Sequence, residues 1–164
     1  MRKVKVIKQT EEQGAVTFKR KKQQHLSTIM FIERNEKPEM QMTAFEKMER
    51  AKSGLGKNEL NRLKERTDLD YEKLSKALAV TKATLIRKKG DQKYSPAISE
   101  RMISLADIYS YGFTVFEDEE KFKNWMFRPV RALGGKTPYD VIDNQFGREE
   151  VRSLIGRIEQ GVYS

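Results

Sequence analysis

Cysteine is absent from the 164 residues, and histidine occurs once, at position 25. Without thiols there can be no disulfide, no cysteine nucleophile and no cysteine-ligated zinc, which suits a reducing cytoplasm. His25 alone would have to supply any Ser-His-Asp chemistry or multi-histidine metal site. No apolar run approaches membrane length, and the opening "MRKVKVIKQTEE" lacks the apolar core of a signal peptide. These absences predict a soluble, cytoplasmic chain and leave only Asp, Glu and Lys for a catalytic site. With no convincing cluster of them, the chain is expected to be non-enzymatic, with no catalytic residues, no metal and no cofactor. What is present is 37% hydrophobic and 35% charged, enough for a modest core under a large polar surface.

The net charge of +9 is unevenly distributed. Residues 1–52 carry 13 basic and 7 acidic side chains, and residues 53–95 carry 11 and 6. The balance reverses over 96–164, with 9 basic and 11 acidic. A basic first part joined to a mildly acidic last part points to two kinds of partner, one of them a polyanion.

Gly135-Lys136-Thr137 resembles the end of a phosphate-binding P-loop. The full motif needs a further glycine at position 130, which is Val130. Pro138 also stands where the helix of a P-loop should already be running. The better reading is a break between helices: Gly134 and Gly135 end one, Thr137 caps the next, and Pro138 opens it. Four adjacent acidic residues, Glu117 to Glu120, read as a helix start, where carboxylates complement the dipole.

Residues 1–43 form an N-terminal extension of uncertain structure, with a basic run at Lys19 to Lys22. From Ala44 onward only helices are expected. Leu60 and Leu63 share one face, and Asp70 is a cap candidate before Leu74, Ala77 and Leu78. Thr81 caps "KATLIRKK", which is expected to run to Gly90. Ser95 and Pro96 open a helix that buries Ile98, Met102, Leu105 and Tyr109. A further helix carries Phe122, Trp125 and Met126 and is expected to continue to the Gly-Gly pair. "TPYDVID" is a short helix, and "REEVRSLIGRIEQ" is the last, with Gly161 as its cap.

The stretch "LDYEKLSKALAVTKATLIRKKG" has the layout of a helix-turn-helix. Leu85 faces the core, so Lys82, Ala83, Thr84 and Arg87 project where recognition helices meet base edges, with Lys88 and Lys89 placed for phosphates. A small Ala83 lets the backbone approach, and Arg87 can read a guanine bidentately. An ordinary helical hairpin with a charged face would share much of this pattern; the absence of any acid in the second helix before Asp91 tilts the balance towards DNA binding. Ala79 holds the turn position where many such units have glycine.

From Gly54 to Ser164 the chain resembles the Xre-type antitoxins of RES–Xre toxin–antitoxin systems, the Xre/MbcA/ParS group. The likeness runs from "GLGKNELNRLKERTDL" through "LSKALAVTKATLIRKK" and "SPAISERMISLADIYSYGFTVF" to "NWMFRPVRALGGKTPYDVID" and "GREEVRSLIGRIEQGVYS". The tail is its most specific part: Trp125, Pro129, Ala132 to Gly135, Thr137-Pro138, Asp143, Gly147, Val151, Gly156 to Ile158, and Gly161-Val162. Val130-Arg131 stands where the family usually carries an asparagine-proline pair. The resemblance implies an all-α fold, with a helix-turn-helix DNA-binding domain over 44–114 and a small helical toxin-binding domain over 115–164. It further implies an antitoxin that represses its own promoter and neutralises a RES-domain, NAD-degrading toxin with its C-terminal region. Arg157, Glu159, Gly161, Val162, Tyr163 and Ser164 make up the tip of that region. An aromatic and an arginine on a rigid helix end are common interface anchors. Val162 and Tyr163 could equally fold back onto Ile155 and Ile158 as a hydrophobic cap. A homodimer is expected, since helix-turn-helix proteins usually read two half-sites with a two-fold pair. The competing expectation is a helix-turn-helix repressor whose C-terminal half serves only dimerisation.

Overall fold

The structure, a computed structural model, describes residues 38–162. His25 and the basic run at 19–22, and Tyr163 and Ser164 at the other end, lie outside the described residues. Within them are eight α-helices, two 3-10 turns and no strand: the expected all-α fold.

Helix α1 (Ala44–Ser53) begins with a capping box, in which Thr43 accepts from the Glu46 backbone and Glu46 reaches back to the Thr43 N–H. A left-handed Gly54 ends it, and α2 (Lys57–Thr67) buries Leu60 and Leu63. Helices α3 (Tyr71–Ala77) and α4 (Lys82–Arg87) start at Asp70 and Thr81, whose side chains accept from Lys73 and Thr84 as expected of caps. Helix α5 (Pro96–Phe116) starts at Ser95 with proline in its first turn, and it is the central element: α1, α2, α6 and α8 all pack on it. Helix α6 (Glu119–Met126) is capped by Asp118, so the acidic run does mark a helix start. The short α7 (Pro138–Val141) and the final α8 (Gln145–Glu159) begin at Thr137 and Asn144.

One apolar core runs through all of these elements, from Ala51 and Leu55 to Val151 and Ile155. Its aromatic centre is built on Phe122, which meets Tyr109, Phe113 and Phe116 edge-on at 5.3–5.6 Å and stacks on Trp125 at 5.7 Å. Gly112 is required there, because a Cβ would lie 2.1 Å from the Phe122 ring.

Three expectations change. Helix α6 ends at Met126, not at the Gly-Gly pair, because Pro129 has no N–H to continue the ladder and restricts the residue before it. Helix α8 starts three residues earlier than Arg148, at Gln145, on an Asn144 cap. The folded body also reaches upstream of residue 43. A 3-10 turn, Glu39–Gln41, lies on α5, with the Met40 N–H donating to Ser110 Oγ at 3.0 Å and Met42 buried.

Candidate nucleic-acid interface and C-terminal tip

Helices α3 and α4 are joined by a turn at Leu78–Val80. Ala79 adopts φ +48°, the left-handed conformation that glycine favours. The turn is held from outside: Arg101 on α5 donates to the carbonyls of Leu78 and Ala79 at 3.0 and 3.1 Å. Leu74, Leu78 and Leu85 lie fully in the core, which fixes the rotation of α4 about its axis.

That rotation leaves Lys82, Ala83 and Arg87 exposed on one face and Thr84 half-buried, its hydroxyl 2.8 Å from Thr81 Oγ1. Among the described residues Arg87 has no carboxylate partner, and the ion pair of Lys82 is a long contact to Glu72 at 3.8 Å. Lys88 and Lys89 do not continue the helix. The Leu85 carbonyl, which the Lys89 N–H would otherwise take, accepts from Lys57 Nζ at 2.8 Å and from the buried Tyr94 hydroxyl at 2.7 Å. The Lys89 N–H turns to Gln92 instead, at 3.3 Å. Both lysines therefore sit on an extended segment past the helix end. Burial pushes the Tyr94 hydroxyl up to about 12.

Ile86 was not among the residues expected on this face, yet it is 47% exposed beside Arg87. An apolar side chain there suits contact with a thymine methyl group. The signal was available: with Leu85 in the core, the next residue stands 100° round the helix and must face outward.

At the far end of the chain, α8 closes in a Schellman cap. The Val162 N–H donates to the Arg157 carbonyl at 2.9 Å and the Gly161 N–H to that of Ile158 at 3.0 Å, with Gly161 at φ +73°. Val162 stays half-exposed. Arg157 pairs with Glu150 at 2.9 Å, and Glu159 accepts from the Tyr111 hydroxyl at 2.5 Å. Burial, then the hydrogen bond to Glu159, raises the Tyr111 hydroxyl above its ordinary range. Of the six expected tip residues the structure thus brings Arg157, Glu159, Gly161 and Val162 to one helix end.

Between these two regions lies residue 127–141. The Tyr139 hydroxyl donates to the Lys73 carbonyl on α3 at 3.1 Å, and Asp140 pairs with Lys76 at 3.3 Å. A hydrogen bond from the Thr137 hydroxyl, then the Lys76 contact, holds the Asp140 carboxyl below its usual value. Thr137 and Asp140 thus form a cap, and the Gly-Lys-Thr segment serves as a joint.

The comparisons with known proteins match two parts of the chain separately. The antitoxin Xre-like helix-turn-helix domain matches residues 46–107, and the antitoxin Xre/MbcA/ParS C-terminal toxin-binding domain matches residues 112–161. The chain belongs to the Xre-type antitoxin family. It is similar to an antitoxin Xre of Photorhabdus laumondii, 36% identical over 76 residues, which cover 46% of this chain and 51% of the relative. An antitoxin Xre of Yersinia enterocolitica is 33% identical over 79 residues, 48% of this chain and 53% of the relative. The chain thus spans about half the length of these Xre relatives. A third relative, described as a Prs ADP-ribosylating antitoxin, comes from a Sphingobium species. It is 26% identical over 123 residues, 69% of this chain and 77% of its own length. In this Xre-type chain α5 belongs to both matched regions, so the expected parting near residue 114 falls inside a continuous helix. Among the described residues no helix is long and apolar enough to cross a membrane.

Proposed function

We propose that the chain is a cytoplasmic, non-catalytic antitoxin that represses its own operon through α4 and neutralises a RES-domain, NAD-degrading toxin with its C-terminal region. The observation that carries this reading is the order of the two matched modules around one shared helix, α5. The first presents a short helix whose outer face is cationic and free of carboxylates. The second ends on a rigid, capped tip, which lowers the entropy cost of docking. The Sphingobium relative's description concerns ADP-ribosylation. ADP-ribosyl transfer, like NAD degradation, breaks the bond between nicotinamide and ribose, so both descriptions fit an NAD-consuming toxin. Repression would use a homodimer on two half-sites about one helical turn apart.

The test is a co-expression pull-down of this chain with the product of the adjacent gene, repeated after deleting residues 161–164. Capture of a RES-type protein, with growth rescue lost on deletion, supports neutralisation by the tip. Capture with rescue intact moves the inhibitory contact elsewhere on the last helices. No capture leaves a DNA-binding repressor and overturns the antitoxin reading.

A further inference from the structure

We propose that the loop 127–136 is a second DNA-contacting surface, one that takes the phosphate backbone beside the recognition helix. The inference rests on the DNA-binding reading of α4.

The loop concentrates charge of one sign. Between Phe127 and Lys136 there are three cations, Arg128, Arg131 and Lys136, and no acid, inside a 96–164 stretch that is otherwise mildly acidic. All three side chains are exposed, and none pairs with a carboxylate among the described residues. Cations left unpaired while acids stand nearby in the chain are cations available to an external anion.

The loop is also pre-shaped. The Val130 N–H donates to the Lys136 carbonyl at 3.0 Å, and the Val130 carbonyl accepts from Leu133 and Gly135 at 3.0 and 3.1 Å. These bonds close the segment around the 3-10 turn Arg131–Leu133. Gly134 and Gly135, at φ +65° and +81°, face open space, so a ligand can approach their backbone.

Its position supplies the partner. Phe127 packs on Tyr139 with ring centres 4.8 Å apart, and Lys73 of α3 lies 5.3 Å over the Phe127 ring. With the Tyr139–Lys73 and Asp140–Lys76 contacts, the loop and α7 are anchored to α3. Glu72 and Lys82 put the start of α4 beside the first turn of α3. In a docked helix-turn-helix the first helix crosses the sugar-phosphate backbone while the second enters the major groove. Arg128, Arg131 and Lys136 therefore extend the backbone-facing surface of α3. The C-terminal tip is at the far end of α8, a helix of 15 residues that is about 22 Å long at 1.5 Å per residue. One domain can thus present the loop to DNA and the tip to a protein.

Phosphate contacts carry no sequence information, and each one lost lowers the steepness of the affinity–salt plot by about one. The experiment measures binding of the full chain to a duplex of its own promoter region and to a random duplex of equal length, across a salt series. Three variants are compared: Arg128→Gln/Arg131→Gln/Lys136→Gln, Arg87→Ala, and Lys121→Gln as a neutralisation on the outer face of α6. The triple variant is expected to weaken both duplexes equally and to reduce the slope by about three per bound chain. Arg87→Ala is expected to reduce the preference for the promoter while leaving most of the slope. An unchanged slope in the triple variant, or an equal change from Lys121→Gln alone, overturns the second surface while leaving α4 as the reader. An unchanged slope with lost capture of the RES-type neighbour product reassigns the loop to the toxin. If the wild-type chain binds neither duplex, the DNA-binding reading itself fails.

Discussion

Ala79 holds a left-handed backbone, φ +48°, with a Cβ that this conformation penalises by about 1–2 kcal/mol. Glycine would remove that penalty but lose about 0.5–1 kcal/mol more entropy on folding. Ala79→Gly should therefore stabilise the chain by about 0.5–1 kcal/mol, measured as a rise in the urea midpoint at constant slope. A lower midpoint would mean that the methyl packs favourably against the turn. The same position shows what single residues reveal in a sequence. Thr81, Ser95, Asp70 and Thr137 were readable as caps because a cap needs only its own side chain and the next three N–H groups. The outward face of α4 was readable as far as Lys82, Ala83 and Arg87. Ile86 was not assigned to that face, although Leu85 already takes the inward direction.

At the scale of elements, ends were harder to read than starts. The early end of α4 is imposed by Lys57 and Tyr94, which are 28 and 9 residues from Leu85 in sequence. No local pattern announces that competition. It does produce a pH effect with a definite sign. The Tyr94 hydroxyl has its folded value raised from 10.0 to about 12, so its contribution is fully present below pH 10 and lost as pH rises towards 12. The difference in Tm between wild type and Tyr94→Phe should accordingly be largest near pH 9 and shrink by pH 12. A constant difference would mean that the hydroxyl does not ionise differently on unfolding. The joint between α7 and α8 depends on Gly147, where a Cβ would stand 1.6 Å from the Val141 carbonyl oxygen. That neighbour is backbone and cannot swing aside. Gly147→Ala should cost about 3 kcal/mol or more and detach α7 from α3, seen as raised amide exchange at residues 137–155. Amide protection equal to wild type would show that the joint can open without loss.

Across the whole molecule, α5 is what makes two matched regions one body, and Asp107 is its polar centre. The carboxylate is only 8% exposed and accepts from Lys47 of α1 and Arg152 of α8, each at 2.7 Å. Arg152 in turn lies 5.0 Å over the ring of Tyr111, whose hydroxyl holds Glu159 near the tip. Breaking a buried pair from the buried side usually costs 3–5 kcal/mol, because a charge is left without its partner. Here the groups left behind are 25% and 46% exposed and can recover water, so Asp107→Asn should cost less, about 2 kcal/mol. The more telling readout is cooperativity. Because Asp107 joins the first and last helices of the described body, its loss should lower the midpoint of a single urea transition followed together by helix content and by Trp125 fluorescence. Two separated transitions would show instead that the helix-turn-helix and C-terminal regions fold independently and that α5 serves only as a connector.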